Sequence, residues 1–213
     1  MHVIPVVNCP DAECAKAKFA VLKSFYEPGG FVHFDVTDGI FAGHATWETP
    51  TGWGTLAEPY LLEAHLMVAR PEAHVGPWVA AGAKRLILPV ESMKADIADA
   101  VLEMAQSHSV PIMLAANPET PVEAFLPYLA QFSMFQILAV HPGPSGQEIL
   151  SGIPEKIAAL RRAKPDAIIE VDGGVNPATA RLVKEAGADI IASGSYIFNA
   201  PDPKAAYEEL KNI

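Results

Sequence analysis

The chain has 213 residues, and its composition limits the class of protein that it can form. Half of the residues are hydrophobic and the mean hydropathy is +0.20, which excludes a disordered or fibrous chain. The 25 acidic and 15 basic side chains give a formal net charge of −10 at pH 7. Because nucleic-acid binding depends on basic side chains that neutralise phosphates, this charge argues against DNA or RNA as a partner. An anionic ligand must therefore be held by local geometry.

The cysteines and the N-terminus indicate the compartment in which the protein works. Cys9 and Cys14 are too few for a disulfide framework, so we expect free thiols in a reducing compartment, with a single bridge between the two as the alternative. The N-terminus lacks the basic start and the apolar stretch of a signal peptide. Residues 125–147 form the longest segment without formal charge, but their prolines and polar residues make them a poor membrane span. We therefore expect a soluble, cytoplasmic protein that does not interact with membranes.

Short β-branched or apolar runs alternate along the chain with longer helical patterns. This alternation is typical of βαβ units with a parallel sheet. The predicted strands cover residues 3–7, 31–36, 62–68, 85–90, 111–115, 135–140, 168–171 and 189–192. The predicted helices cover residues 11–25, 71–81, 94–108, 121–131, 153–163, 177–186 and 203–211.

The helix ends and the lack of a linker indicate one continuous unit. Thr120-Pro121 and Asn176-Pro177 each place a capping residue before a proline at the first helical position. Gly82 and Gly187 stand where a helix should stop before the next strand. No Ser/Gly-rich linker or composition shift divides the chain. These features predict an α/β fold in which residues 1–213 form a single (β/α)8 TIM barrel, with a doubly wound open sheet as the alternative.

Polar residues at the ends of the predicted strands form a candidate metal site. Strand alternation puts His33 and Asp35 on one face of the second strand and His65 on the same face of the third as Glu63. Asp172 ends the seventh strand. Two histidines and two carboxylates form a ligand set suited to one divalent ion of Zn, Fe(II), Mn or Co. A single inward-facing histidine in a strand is more often a hydrogen-bonded core or rim residue than a metal ligand. Only the combination of His33, His65, Asp35 and Asp172 favours a metal site.

Glycine-bearing loops follow the last three predicted strands. Barrels often bind phosphate in the loops after the seventh and eighth strands, where backbone N–H groups meet the anion. The candidate phosphate-binding residues are Gly143, Pro144, Ser145, Gly146, Gly173, Gly174, Gly194 and Ser195. Such loops explain how a chain of net charge −10 could hold an anion without a lysine cluster.

Six motifs in order along nearly the whole chain resemble the ribulose-phosphate 3-epimerase family. They are residues 33–39 (HFDVTDG), 65–68 (HLMV), 116–124 (ANPETPVEA), 140–143 (VHPG) with Gly146-Gln147, 171–174 (VDGG) and 194–198 (GSYIF). The resemblance implies a (β/α)8 barrel of the ribulose-phosphate-binding type. The implied enzyme is an isomerase of carbohydrate metabolism, in the pentose phosphate pathway, that interconverts D-ribulose 5-phosphate and D-xylulose 5-phosphate.

The resemblance also implies roles for individual residues. His33, Asp35, His65 and Asp172 are expected to bind one divalent metal ion, and Asp35 and Asp172 to act as acid and base on opposite faces of the substrate carbon. The glycine-bearing loops are expected to hold the phosphate end of the substrate. His65, Met67 and Asn8 are expected to line the substrate site, where Asn8 could hydrogen-bond a sugar hydroxyl.

Several residues depart from the family pattern and alter the wall of the pocket. They are Asn8, Thr37, Pro89, Leu138, Pro144 and Ser145. Alternatives to the pentulose substrate are therefore a hexulose 6-phosphate, or a barrel that binds a phosphosugar without turnover. A lyase or decarboxylase would need a lysine in the mouth, and none of the predicted strand ends carries one.

Oligomeric state is the remaining expectation. The glycine- and threonine-containing segment 47–58 reads as an inserted loop, and its aromatic residues Trp47 and Trp53 are expected to be exposed. They could form a lid or an interface, and we expect a homo-oligomer.

Overall fold

The computed structural model describes residues 1–41, 43, 46, 49–143 and 146–213. Within these residues, eight strands alternate with helical segments. The strands are β1 (His2–Pro5), β2 (Phe31–Thr37), β3 (Leu61–Met67), β4 (Arg85–Pro89), β5 (Ile112–Ala116), β6 (Met134–Leu138), β7 (Ile168–Asp172) and β8 (Ile190–Ser193). Each predicted strand is confirmed, with ends shifted by up to two residues.

The helices occupy the segments between the strands. They are α1 (Ala12–Leu22), α2 (Trp53–Ala57), α3 (Pro71–Ala80), α4 (Ala95–His108), α5 (Ile153–Ala163), α6 (Pro177–Ala186), α7 (Ser195–Phe198) and α8 (Pro203–Lys211). Two 3-10 helices cover Val90–Ser92 and Val122–Tyr128. None of the helices in the described parts of the chain combines the length and the apolar character needed to cross a bilayer.

One compact unit consists of Met1–Pro5 and Met113–Ile213. Its strands lie in the order β1-β8-β7-β6-β5, and each strand is parallel to its neighbours in this order. The register sets Asp172 beside Leu138 of β6 and Ala192 of β8. Asp172 therefore lies at the carboxyl end of a buried strand.

The second compact unit is Val6–Ile112, with strands in the order β4-β3-β2. All of its recorded strand pairs are parallel. The register pairs His33 with Glu63 and Asp35 with His65. Because paired residues on neighbouring strands point to the same face, these four side chains lie together. The prediction of a single domain over residues 1–213 stays a prediction.

The apolar face of β2 packs against an aromatic cluster that contains Trp53. Trp53 is fully buried, and its ring centroid lies 3.8 Å from that of Phe34 and 6.4 Å from that of Trp78. The expectation that Trp53 is exposed is therefore wrong. The short helix α2 turns the indole into the core. This helix was not predicted, because the segment has the composition of a loop. Trp47, the other tryptophan of the predicted loop, lies outside the described residues.

Two other expectations fail for local reasons. The α-helix predicted for residues 121–131 is instead the 3-10 helix Val122–Tyr128, which contains Pro127. A proline inside a helix lacks the N–H that an α-helical hydrogen bond requires. The cysteines are not free, because α1 carries Cys14 back to Cys9 and the two form a disulfide with Cα atoms 5.6 Å apart.

Candidate active site

Two histidines and a carboxylate meet at the carboxyl ends of β2 and β3. Asp35 Oδ1 lies 3.2 Å from His33 Nε2 and 3.3 Å from His65 Nδ1. Both histidines are fully buried and Asp35 is 8% exposed. The alternation of β2 explains the arrangement, since Phe34 and Val36 face the aromatic core while His33 and Asp35 face the opposite side. The sequence therefore predicted correctly that His33 and Asp35 share one face of the second strand.

The electrostatic environment favours an ionised Asp35. Burial raises the pKa of its carboxyl, but hydrogen bonds from His33 and His65, together with their charge, outweigh burial and lower the pKa well below its usual value. Asn8 Nδ2 also donates a hydrogen bond to Asp35 Oδ2 (3.3 Å). A carboxylate held in this way carries a full negative charge at neutral pH.

The donor set fits a divalent cation. Donors that bind one ion at about 2.0–2.2 Å lie about 2.8–3.6 Å from one another, and the two nitrogen-to-oxygen separations at Asp35 fall in this range. The His65 atom at this separation is Nδ1, and its other nitrogen, Nε2, is buried without a hydrogen-bond partner among the described residues. One ligand atom from each of His33, Asp35 and His65 lies within 4.8 Å of the others. Two imidazoles and a carboxylate are ligands that Zn, Fe(II), Mn and Co accept.

The segment after β1 brings Asn8 to the carboxylate. Val7 N–H donates to the backbone oxygen of His33 (2.8 Å), which fixes the segment beside β2. Lys18 Nζ donates to the backbone oxygen of Asn8 (2.8 Å). The sequence analysis did not identify Lys18 as a residue near the candidate metal ligands. Lys18 belongs to α1, and it reaches Asn8 only because α1 folds back onto the segment after β1. Burial lowers the pKa of Lys18, and the charge of Asp35 partly opposes that effect.

The wall beside these ligands contains two residues that the sequence singled out. Thr37 and Met67 end β2 and β3 and are paired in the register. Both are buried, and the Thr37 hydroxyl lacks a hydrogen-bond partner in the described part of the chain. The threonine at the end of β2 therefore places an unsatisfied hydroxyl beside Met67.

Two buried residues further along the same face were not predicted as functional. Glu63 Oε1 lies 2.6 Å from His33 Nδ1, and Arg85 contacts the other oxygen of Glu63. The sequence signal was the shared face of Glu63 and His65 on the third strand. The pairing with Arg85 depends on strand register, which the sequence alone does not reveal.

In the unit formed by Met1–Pro5 and Met113–Ile213, Asp172 is buried at the end of β7. Gly173 and Gly174 follow it with φ of +99° and +65°, a region that favours glycine. A Cβ on Gly174 would lie 2.6 Å from the backbone nitrogen of Ile149, so a side chain there would displace the loop after β6. The two glycines therefore let two loops approach closely.

A cavity of about 550 Å³ opens next to these loops. Its walls include Gly146, Gly174 and Ser195, three of the candidate phosphate-binding residues. Asn176, which caps α6 by accepting hydrogen bonds from two backbone N–H groups, also lines it. The other candidates in this unit are placed close by in the chain: Gly143 after β6, Gly173 after β7 and Gly194 after β8. Pro144 and Ser145 lie outside the described residues.

Comparison with known proteins shows relatives across most of the chain. A family model described as the ribulose-phosphate 3 epimerase family matches residues 12–198. The ribulose-phosphate 3-epimerase of Chlamydia pneumoniae is 35% identical over 182 residues, which cover 80% of this chain and 76% of the relative. The ribulose-phosphate 3-epimerase of Bacillus subtilis is 31% identical over 193 residues, with 87% and 88% covered.

Solved structures share the fold at lower identity. A 3-hexulose-6-phosphate synthase matches with a TM-score of 0.75 and 17% identity, covering 100% of this chain and 99% of that one. An orotidine 5'-phosphate decarboxylase from Pyrococcus horikoshii OT3 has a TM-score of 0.66 and 20% identity, with 98% and 100% covered. The protein is thus a (β/α)8 barrel with a buried histidine and carboxylate group able to hold a divalent cation. Within this class, the chain belongs to the ribulose-phosphate 3-epimerase family.

Proposed function

We propose that the protein is a metal-dependent epimerase that interconverts D-ribulose 5-phosphate and D-xylulose 5-phosphate. The observation that carries the proposal is the buried group of His33, Asp35 and His65 at strand ends, in a chain of this family. Inversion at C3 requires removal of a proton on one face of the carbon and delivery of a proton on the other. The reaction therefore needs two proton carriers and a way to stabilise negative charge between the two steps.

The proposed metal ligands are His33, Asp35, His65 and Asp172. Each of the two histidines has a nitrogen at a distance from Asp35 Oδ1 that fits one shared ion, and the family motif adds Asp172 at the end of β7. A bound divalent cation would supply Lewis acidity that stabilises the charge on the substrate oxygens. Its identity among Zn, Fe(II), Mn and Co is left open by this ligand set.

Asp35 and Asp172 are the proposed proton carriers. The lowered pKa of Asp35 supports its role as the ionised partner, which accepts the C3 proton in one direction. Asp172 in its protonated form then delivers a proton to the opposite face, and the roles exchange in the reverse reaction. Asn8, through its hydrogen bond to Asp35, orients the carboxylate and can meet a sugar hydroxyl with its remaining polar atoms. His65 and Met67 complete the proposed sugar-binding wall.

The phosphate end of the substrate is proposed to bind at the glycine-bearing loops after β6, β7 and β8. The cavity lined by Gly146, Gly174 and Ser195 supports this assignment, because backbone N–H groups of such loops can hold an anion without lysines. The proposed contacts are Gly143, Pro144, Ser145, Gly146, Gly173, Gly174, Gly194 and Ser195.

The decisive experiment follows the C3 proton of ribulose 5-phosphate by NMR in D2O. Chelator-treated protein should be inactive, and addition of a divalent cation should restore both exchange at C3 and formation of xylulose 5-phosphate. Asp35→Asn and Asp172→Asn should each lower turnover by at least about 10²–10⁴-fold, because each removes a proton carrier. Asp166→Asn, whose carboxylate is 81% exposed, is the matched control and should leave turnover unchanged.

Other outcomes would redirect the assignment. Exchange with a hexulose 6-phosphate but not with ribulose 5-phosphate would identify the alternative substrate. Tight phosphosugar binding without exchange, in folded and metal-loaded protein, would identify a binding protein without turnover. Retained epimerisation in both aspartate variants would refute the proposed chemistry.

Self-association and a cytoplasmic location are the remaining proposals. Light scattering of the purified protein over a range of concentrations measures the mass in solution. A mass of two or more times 22.7 kDa would support a homo-oligomer, and a mass of 22.7 kDa would refute it. Fractionation of cells that express the full chain tests the location.

A further inference from the structure

A row of three buried polar side chains crosses β2, β3 and β4 beside the proposed metal ligands. The parallel register pairs His33 with Glu63 and Glu63 with Arg85. Glu63 is fully buried and Arg85 is 5% exposed. Charged residues are almost never buried to this degree unless they are paired. The row therefore forms a connected polar layer, two residues along β2 and β3 from the layer of Asp35 and His65.

Arg85 occupies one oxygen of Glu63 and leaves the other for His33. Both Nε and Nη2 of Arg85 contact Glu63 Oε2. The guanidinium is itself fixed over the Phe31 ring, with its carbon 4.2 Å from the ring centroid. Glu63 Oε1 then faces His33 Nδ1 at 2.6 Å. The carboxylate is thus held in one orientation by an arginine and presents a single acceptor to the imidazole.

We propose that Glu63 is a positioning residue for His33 and that Arg85 sets the orientation of Glu63. Because Glu63 Oε1 is an acceptor, it fixes the hydrogen of His33 on Nδ1. Without a metal ion, a proton on Nε2 makes the 3.2 Å hydrogen bond to Asp35 Oδ1. When an ion takes the place of that proton, the lone pair of Nε2 would be the one that binds it, because Nδ1 keeps its hydrogen on Glu63. A metal-binding histidine needs this arrangement, with one nitrogen free for the ion and the other donating to a partner that fixes the ring.

This inference rests on the proposed function, since it concerns how one ligand of the proposed metal site is prepared. The competing explanation is that Glu63 and Arg85 form a buried ion pair that only supports the core. Replacing one partner of such a pair destabilises a protein whether or not the pair serves a site. Stability alone therefore cannot separate the two explanations, and the test must measure the metal environment.

The test compares Glu63→Gln with the parent protein by titration of chelator-stripped samples with Co²⁺. Gln keeps the size of the side chain but can turn its amide nitrogen toward His33. We expect Co²⁺ binding about 10–100-fold weaker than in the parent and an altered visible absorption spectrum of the bound ion. In the Zn²⁺-loaded parent we also expect a low-field proton resonance from His33 Nδ1, which Glu63→Gln should lose.

Glu72→Gln is the matched control. Glu72 also pairs with an arginine, since Arg70 Nε lies 3.1 Å from Glu72 Oε1, but this pair lies at the surface. The control should keep the Co²⁺ affinity and spectrum of the parent. Arg85→Lys is the second variant if Glu63→Gln does not fold. It keeps the positive charge but offers a single ammonium in place of the planar fork, so Co²⁺ binding should weaken by about threefold or more.

The outcomes separate this inference from the proposed function. A parent protein that neither binds Co²⁺ nor epimerises would overturn the proposed function itself. A parent that does both, with Glu63→Gln unchanged in Co²⁺ affinity and spectrum, would overturn only the positioning role. If Glu63→Gln does not fold, an Arg85→Lys protein with parental affinity and spectrum would overturn it in the same way. Weaker binding with an altered spectrum, in variant protein shown to be folded, would support it.

Discussion

Replacing Trp53 with alanine should lower the free energy of unfolding by about 3–5 kcal/mol, the range for loss of a large buried aromatic. The indole is fully buried and packs on Phe34, with the two ring centroids 3.8 Å apart. An aromatic side chain buries about 150–250 Å², which at about 25 cal/mol per Å² gives about 4–6 kcal/mol as an upper estimate. The loss is therefore a substantial part of the 5–15 kcal/mol that is typical of globular domains, about a fifth at the least.

Equilibrium unfolding in urea, followed by circular dichroism, measures this loss. Leu126→Ala is the control, because Leu126 is 51% exposed and its truncation should change the free energy of unfolding by less than about 0.5 kcal/mol. Trp53→Phe should retain part of the stability, since it keeps a ring against Phe34. A loss below about 1 kcal/mol for Trp53→Ala would show that the indole is not a core side chain and would refute the reasoning.

Three further predictions concern stabilising contacts outside the proposed metal site. Burial raises the pKa of the Asp38 carboxyl, but hydrogen bonds from four backbone N–H groups, including its own, outweigh burial and lower the pKa. The ionised carboxylate therefore stabilises the fold above its unfolded pKa, and this stabilisation is lost as pH falls through the folded pKa. Urea unfolding at pH 7 and pH 3 should show a smaller pH dependence for Asp38→Asn. Arg161→Met should cost about 2–4 kcal/mol in urea unfolding, because Arg161 donates to three backbone oxygens and to Asp189. Reduction of the Cys9–Cys14 disulfide should cost about 2 kcal/mol, the closure entropy of a short loop, and should lower the melting temperature.

Each of these three predictions has its own control variant or its own contradicting result. For Asp38, equal pH dependence in the parent and in Asp38→Asn would contradict the lowered pKa. For Arg161, the comparison is Arg181→Met, since Arg181 makes one exposed hydrogen bond to a backbone oxygen and should matter little. For the disulfide, a Cys14→Ser variant should not respond to reductant. A parent protein that is equally indifferent to reductant would contradict the bond.

The proposed metal ligands on β2 and β3 could be located from sequence because strand alternation acts over neighbouring residues. His33 and Asp35 are two positions apart, which is enough to place them on one face. The contact of Glu63 with Arg85 depends on the register between β3 and β4, which is set by packing along both strands. Register of this kind involves residues 22 positions apart, and a single sequence does not specify it.

The errors made from sequence have a common physical origin. Segment 47–58 has the composition of an exposed loop, yet its five-residue helix α2 turns Trp53 into the core. Cys9 and Cys14 were expected to be free from their number alone. Their pairing follows from the direction in which α1 leaves the preceding segment. In both cases the path of the backbone overrides an inference from composition.

The alternation of β2 also restricts how this chain can change in length. His33 and Asp35 lie on the face of β2 that carries the proposed metal ligands, while Phe34 between them lies on the opposite face and contacts Trp53. Inserting or deleting one residue early in β2 would exchange these faces, setting an aromatic ring among the ligands and a carboxylate in the apolar cluster. A point substitution in β2 leaves this alternation in place, whereas a change of length reverses it, so descendants of this sequence should gain or lose residues only outside the strand.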